Sequence, residues 1–170
     1  MVLIHSPAYV VGAHQNCWKC GSENEVVTVA CTAIGVDGEA IESAEPGEAF
    51  LLSYITEMPA HLFHFVSGFA PNYRKLYSRT ADEEYYANVC NCGANFGDFY
   101  LFSEPEGAWF PKDDSGVVTT RVLPVPMVDP FEVECDFGTH KIAGLEGAPF
   151  SGPVNVRESP IGQKDEEPTA

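Results

Sequence analysis

The sequence has few basic residues: nine Lys and Arg stand against 25 Asp and Glu, which gives a formal net charge of -16. A protein that binds nucleic acid unaided uses Lys and Arg to displace counterions from the phosphates. The basic residues of this chain are not clustered, so the sequence argues against direct DNA or RNA binding. The excess of negative charge keeps a protein soluble and steers it toward a basic partner.

Long apolar runs are also lacking. No stretch approaches the roughly 18–20 residues that cross a bilayer as a helix. Residues 1–7 contain no basic region, and their apolar stretch is too short for a secretory signal. We therefore expect no membrane insertion and a cytoplasmic location. In a reducing compartment the six cysteines are expected to be metal ligands or core residues rather than disulfides.

Motifs of catalytic and nucleotide-binding sites are absent as well. The chain has no glycine-rich phosphate loop, no G-x-S-x-G elbow and no H-E-x-x-H motif. We therefore expect a protein without enzymatic activity. One alternative stays open, because a Cys nucleophile with a distant His base leaves no local signature. An enzyme of that kind, with its cysteines in redox or metal chemistry, would need an exposed thiol of low pKa.

What the sequence does contain is a set of short, β-branched and aromatic segments separated by 15 Gly and 13 Pro. This pattern predicts a β-rich α+β fold, with a small antiparallel sheet and few short helices. A strand that ends in a turn is expected near Gly12, and residues 74–82 are expected to be irregular. A short helix is predicted at residues 59–69. Further strands are predicted at residues 25–34, 50–54, 97–103, 117–125 and 131–137.

The chain has the length of one domain, and we place that domain at residues 1–150. Residues 151–170 are rich in proline and charge and have little to bury. They are therefore predicted to form a flexible, disordered tail.

The segment at residues 131–137 alternates apolar and acidic residues throughout. In a strand, such alternation buries one face and leaves the other in solvent. The exposed face would carry Glu132, Glu134 and Asp136. We predict that these three carboxylates contact a basic protein partner.

The cysteines form two close pairs. Cys17 and Cys20 are a C-x-x-C pair, Cys90 and Cys92 are a narrower C-x-C pair, and each pair is followed by glycine. The glycine permits a turn that points backbone N–H groups at the sulfurs. Two such turns predict a closed tetrahedral site with one structural Zn²⁺, because four thiolates leave no open position for water.

Other assignments of the cysteines remain open at this point. The four could be ordinary buried side chains or an unliganded dithiol, and iron could replace zinc. Cys31 and Cys135 lie in apolar strand patterns and are predicted to be core thiols.

A few histidines and one aspartate are further candidates. His14 precedes the first pair and could replace a cysteine ligand, and His61 and His64 could bind a metal with Glu57. We expect surface or half-buried histidines instead. Asp98 is predicted to have a structural role, orienting Asn88 or a backbone amide. The aromatic residues near the second pair are expected to lie mainly in the core.

Several short motifs occur together in this chain: residues 16–20 (NCWKC), 71–73 (PNY), 77–78 (YS), 86–90 (YANVC), 92–94 (CGA), 97–100 (GDFY) and 105–107 (PEG). The pattern CWKC … CxCGAxFGDFY resembles a group of poorly characterised bacterial zinc-ribbon-like proteins. The resemblance covers residues 16–111 and leaves residues 117–170 outside. It implies zinc binding through Cys17, Cys20, Cys90 and Cys92, and it implies no particular reaction.

These observations lead to one functional expectation. We expect an acidic, zinc-stabilised binding protein that neutralises a basic partner, as an immunity protein or other inhibitor does with a toxin or nuclease. The first alternative is a structural or regulatory zinc-ribbon module of a larger assembly. The second is the thiol- or metal-dependent enzyme described above.

Overall fold

The computed structural model describes residues 1–143 and residue 145 of the chain. This part is β-rich with two short helices, as the sequence predicts. The predicted tail at residues 151–170 lies outside the described residues, as does the predicted domain boundary at residue 150. The strands are β1 (Val2–Asn16), β2 (Glu23–Val36), β3 (Glu42–Ser43), β4 (Glu48–Glu57), β5 (Arg74–Ser78), β6 (Glu83–Val89), β7 (Asn95–Phe96), β8 (Val117–Val118), β9 (Arg121–Pro124) and β10 (Phe131–Ala143), and the helices are α1 (Ala60–Phe69) and α2 (Asp98–Ser103).

Four strands close into a small barrel. Strand β1 pairs with β2, β2 with β4, β4 with β10, and β10 with the first residues of β1, all antiparallel. Three short strands extend this sheet: β3 beside β2, β8 parallel to β10, and β9 along the middle of β1. The predicted small antiparallel sheet is therefore closed on itself, which protects the edges of its long strands.

Both faces of strand β2 are buried, as its nearly continuous apolar sequence predicts. Because side chains alternate along a strand, Val27 and Val29 face one apolar cluster, which includes Leu62 of α1. Val26 and Ala30 face a second cluster, which contains the side chains of α2 and of the segment after it. The second cluster is the one that reaches the cysteine pairs.

Strands β5, β6 and β7 form a separate antiparallel sheet. Asn88, a buried residue of β6, links this sheet to the barrel. The Asn88 side chain accepts a hydrogen bond from the backbone N–H of Val27 at 2.8 Å and donates one to the Val27 carbonyl at 2.9 Å. One side-chain amide thus pairs with β2 as a backbone residue of a neighbouring strand would.

The prediction of a strand at residues 97–103 is wrong, because most of this segment is helix α2. Its aromatic residues favour a strand by propensity, but burial decides the outcome. The two buried side chains are Asp98 and Leu101, which are three residues apart and therefore share one face of a helix. The aromatic side chain of Phe99 is 54% exposed.

Two further local predictions are corrected. Residues 74–82 are not irregular throughout, since β5 pairs with β6 although most of its side chains are exposed. Strand β1 does not turn at Gly12 but continues to Asn16. A Cβ at Gly12 would lie 2.9 Å from Oγ1 of Thr120 and 3.0 Å from Cδ of Glu25, so the glycine permits a close approach of neighbouring side chains.

Two other predictions hold with adjusted bounds. Helix α1 begins after Pro59, which is extended, and it ends at Phe69 as predicted. The predicted strand at residues 117–125 is divided into β8 and β9, which pair with different strands of the barrel sheet.

Candidate metal centre

The four predicted cysteines meet at one point of the structure. The sulfur atoms of Cys17, Cys20, Cys90 and Cys92 all lie within 4.8 Å of one another. The Sγ atoms of Cys17 and Cys92 are 3.7 Å apart, as are those of Cys20 and Cys90. A regular tetrahedron of sulfurs with Zn–S bonds of about 2.3 Å has edges of about 3.8 Å. The donor set and its spacing therefore fit a tetrahedral metal ion.

Two similar turns position these sulfurs, although their cysteine spacings differ. The N–H of Gly21 donates to the carbonyl of Cys17 at 2.9 Å, and the N–H of Gly93 donates to the carbonyl of Cys90 at 2.8 Å. Both glycines have positive φ, 74° and 90° respectively. Such a conformation strains other residues, so the glycine after each pair is required by the turn.

The first turn joins β1 to β2, and the second joins β6 to β7. The separation of the pairs in sequence is therefore bridged by packing the two sheets together. Besides contacts at the sulfurs, a hydrogen bond to the backbone connects the turns: Nε1 of Trp18 donates to the carbonyl of Asn95, the first residue of β7, at 3.0 Å. The rest of the Trp18 side chain is in solvent, and the residue is 62% exposed.

Backbone groups surround the sulfur of Cys17. The N–H groups of Lys19 and Cys20 donate to it at 3.4 and 3.5 Å. This arrangement is the one predicted for a turn that points amides at a thiolate. It offsets part of the negative charge and orients the ligand.

Side chains of the first turn reach the other sulfurs. The Ser22 hydroxyl lies 3.0 Å from Sγ of Cys20 and 3.3 Å from Sγ of Cys90, so it can donate its proton to either. The Asn24 side chain donates to Sγ of Cys90 at 3.5 Å. Neither residue was predicted. In the sequence, these are only two short polar residues that follow the first cysteine pair. They can be recognised as partners of the sulfurs only when the second pair is known to lie beside them.

The electrostatics of the cluster favour a bound cation. Hydrogen bonds, first from the Ser22 hydroxyl and then from the N–H of Cys92, lower the pKa of the Cys90 thiol to about 6. For Cys92, the N–H of Ala94 lowers the pKa, but burial and the neighbouring cysteine side chains raise it to about 11. Four adjacent thiolates repel one another, and a divalent cation among them allows all four to lose their protons.

The other cysteines and the histidines lie elsewhere. Cys31 is buried in the cluster that contains Val27, as predicted, whereas Cys135 is half-buried and packs against that cluster. Burial raises the pKa of both thiols to about 12. His14 is 2.5 Å from a carboxylate oxygen of Glu23 and does not join the cluster. Within residues 1–143 and 145, the four cysteines are the only group of three or more potential His, Cys, Asp or Glu ligands.

His61, His64 and Glu57 therefore do not form the alternative metal site within the described residues. The ring of His61 packs edge-on against Phe131. The carboxylate of Glu57 instead accepts a hydrogen bond from Lys75 at 2.7 Å.

The acidic residues predicted to bind a partner lie on β10. Glu132, Glu134 and Asp136 are exposed, and Phe131 and Val133 between them are buried, as the alternation predicts. In the pairing of β10 with β4, Glu134 lies directly opposite Glu57. Like charges that face each other across strands are unfavourable.

Comparison of the chain with protein-family models, with curated proteins and with solved structures finds no match. The resemblance to bacterial zinc-ribbon-like proteins therefore stays a prediction. In the described part of the chain, no helix has the length and apolar character needed to cross a membrane.

Proposed function

We propose that this protein is a non-enzymatic, zinc-stabilised binding protein that covers and inhibits a basic partner protein, in the manner of an immunity protein acting on a toxin or nuclease. The observation that carries the proposal is the acidic face of β10. Glu132, Glu134 and Asp136 are exposed on one strand. No ion pair within the described residues involves any of them.

The surroundings of this face support a cationic partner. Lys75 pairs with Glu57, which faces Glu134, and so offsets only part of the local charge. At the N-terminal end of β10, a cavity of about 230 Å³ is lined by Glu132 and Glu39, and by Asp37, whose carboxylate pairs with the N-terminal ammonium of Met1 at 3.6 Å. The apolar part of the lining would contact the aliphatic stem of a Lys or Arg, while the carboxylates meet its charged end.

In this proposal the metal ion has a structural role. Zinc is the metal that we assign, because four thiolates are the ligand set of closed structural zinc sites. Cys17, Cys20, Cys90 and Cys92 would hold it, and it would fix the two turns to each other. The barrel then presents β10 as a rigid face.

Capture of partners at two ionic strengths tests the proposal. A basic protein should be retained at low salt and released at high salt, and its toxic or nuclease activity should fall when it is bound. The triple variant E132Q/E134Q/D136N should lose this binding. The matched control is E42Q/E45Q/E83Q, which changes the net charge equally at exposed positions outside β10 and outside the cavity lined by Glu132.

Two results would refute the proposal. One is that no basic protein is retained even at low ionic strength. The other is that both triple variants weaken binding equally, because the net charge alone would then account for capture.

A second candidate, a module of a larger assembly, is favoured by Trp18. This side chain is 62% exposed although its indole N–H is fixed to the carbonyl of Asn95. A large, exposed and immobilised aromatic residue is a frequent anchor at protein interfaces. Loss of a co-purifying assembly in W18A, with β10 variants unaffected, would favour this function over inhibition.

A further inference from the structure

The four cysteines differ sharply in accessibility. Cys17 and Cys90 are 4% and 2% exposed, whereas Cys20 and Cys92 lie at the surface. A reagent from solvent can therefore reach only two of the four sulfurs while the cluster is intact. Each turn therefore holds one accessible and one buried sulfur.

The two accessible sulfurs differ in their hydrogen bonds. The sulfur of Cys20 lies 3.0 Å from the Ser22 hydroxyl and also faces the backbone N–H of Ser22. Among the described residues, the sulfur of Cys92 faces the backbone N–H of Ala94 and, at 3.7 Å, the sulfur of Cys17, which is a thiolate when the metal is bound and then donates no proton. Each hydrogen bond withdraws electron density from a thiolate and makes it a weaker nucleophile.

We propose that Cys92 is a modification site: with the metal bound, it is the one cluster sulfur that reacts readily with small, soft, uncharged electrophiles. Cys17 and Cys90 are shielded by burial. Cys20 is deactivated by the backbone N–H of Ser22 and by its hydroxyl, which Cys20 shares with Cys90 but which lies nearer to Cys20, at 3.0 Å against 3.3 Å. The net charge of -16 repels anionic reagents, so an uncharged electrophile is preferred over an anionic one. The inference concerns the cysteine cluster alone and does not rest on the inhibitor function.

With an alkyl halide, the reaction is a substitution. The lone pair of the Cys92 thiolate forms a bond to the electrophilic carbon, the carbon–halogen bond breaks, and the halide leaves with its electron pair. No atom is oxidised or reduced. The thiolate becomes a neutral thioether, which is a poorer ligand for zinc, so the reaction weakens the metal site.

The test uses the full-length chain loaded with zinc and a limiting amount of iodoacetamide, followed by peptide mapping with fragmentation. We expect Cys92 to be labelled at least about fivefold more than Cys20, with little label on the buried pair. Chelation of the zinc before labelling should remove this preference. Equal labelling of Cys20 and Cys92, or faster labelling of Cys20, would overturn the proposal.

Variants of Ser22 separate the effect of hydrogen bonding from that of exposure. S22A removes the hydroxyl and should raise labelling of Cys20 toward that of Cys92. S22T keeps a hydroxyl and should restore the original preference. If S22A leaves the labelling of Cys20 unchanged, the hydrogen bond does not set the selectivity and the proposed cause is wrong. Zinc content, measured on each variant before labelling, confirms that the cluster is intact.

Discussion

The carboxylate of Asp98 accepts a hydrogen bond from the backbone N–H of Tyr54 at 2.6 Å, and this contact fastens helix α2 to strand β4. Tyr54 has φ of 48°, an uncommon value for a residue other than glycine. It lies where the pairing of β4 with β10 is irregular. The buried acceptor therefore supports a strained bulge in the barrel wall.

Asp98 should make the stability of the protein depend on pH. Burial raises the pKa of its carboxyl from 3.8 to about 7, and the Tyr54 N–H offsets only part of this. The pKa in the folded state exceeds that in the unfolded state, so the protonated form favours folding. This contribution is complete below about pH 4 and is lost as the pH rises through about 7.

The variant D98N isolates the effect, since its amide oxygen can still accept from Tyr54 but does not titrate. The difference in unfolding free energy, wild type minus D98N, should fall by up to about 4 kcal/mol between pH 4 and pH 8. Urea unfolding of both proteins across this range measures it. A difference that is constant with pH would contradict the prediction. The nearby Tyr54, Tyr73 and Tyr85, whose pKa values are all raised, stay neutral over the range.

The sequence predicts strands well where apolar character is continuous or strictly alternating, as in β2 and β10. It fails for α2, because the aromatic residues of that segment favour a strand and only the buried positions of Asp98 and Leu101 reveal a helix. The sequence analysis predicts that Asp98 orients Asn88 or a backbone amide, and its partner is a backbone amide. The identity of that partner, Tyr54, depends on contacts between residues 44 positions apart.

The residues of the metal centre could be predicted in more detail than the rest of the structure. Cysteine pairs with a following glycine specify the turn locally, whatever the remainder of the chain does. Ser22 and Asn24 could not be recognised, because their contacts with Cys90 exist only after β6 packs beside β2. Contacts between residues close in sequence can be predicted from the sequence. Contacts with residues of distant strands depend on how the two sheets pack.

Substitution of Asn88 is expected to destabilise the fold more than substitution of most other polar residues. N88A would leave both the N–H and the carbonyl of Val27 without partners in a buried place. We expect a loss of about 2–6 kcal/mol in unfolding free energy, since each of the two buried unsatisfied groups costs about 1–3 kcal/mol. The matched control is N72A, which removes an exposed contact with Asn91 and should change stability by less than about 0.5 kcal/mol. Similar losses in both variants, measured by urea unfolding, would contradict this assignment.

Trp18 should slow the release of the metal ion. W18F keeps an aromatic ring but loses the hydrogen bond to Asn95 that joins the two turns. A bond worth about 0.5–1.5 kcal/mol corresponds to metal release that is up to about tenfold faster. Transfer of zinc to a coloured chelator measures the rate. Y77F removes another exposed aromatic hydrogen bond, remote from the cysteines, and should leave the rate unchanged. Unchanged release from W18F would show that the turns are held together by other contacts.

Removal of the metal ion should destabilise the protein without abolishing its barrel. The cluster that includes Val27 and Leu62 contains none of the four cysteines, whereas Cys17 and Cys90 belong to the second cluster. Zinc at about 1,000 times its dissociation constant contributes about 4 kcal/mol, and its removal should lower Tm by about 8–16 °C. C90S should abolish stoichiometric zinc binding and the effect of chelator on Tm, while C135A should preserve both. A chelator-independent Tm in the wild type, or a loss of zinc in C135A equal to that in C90S, would show that the four sulfurs are not the metal site.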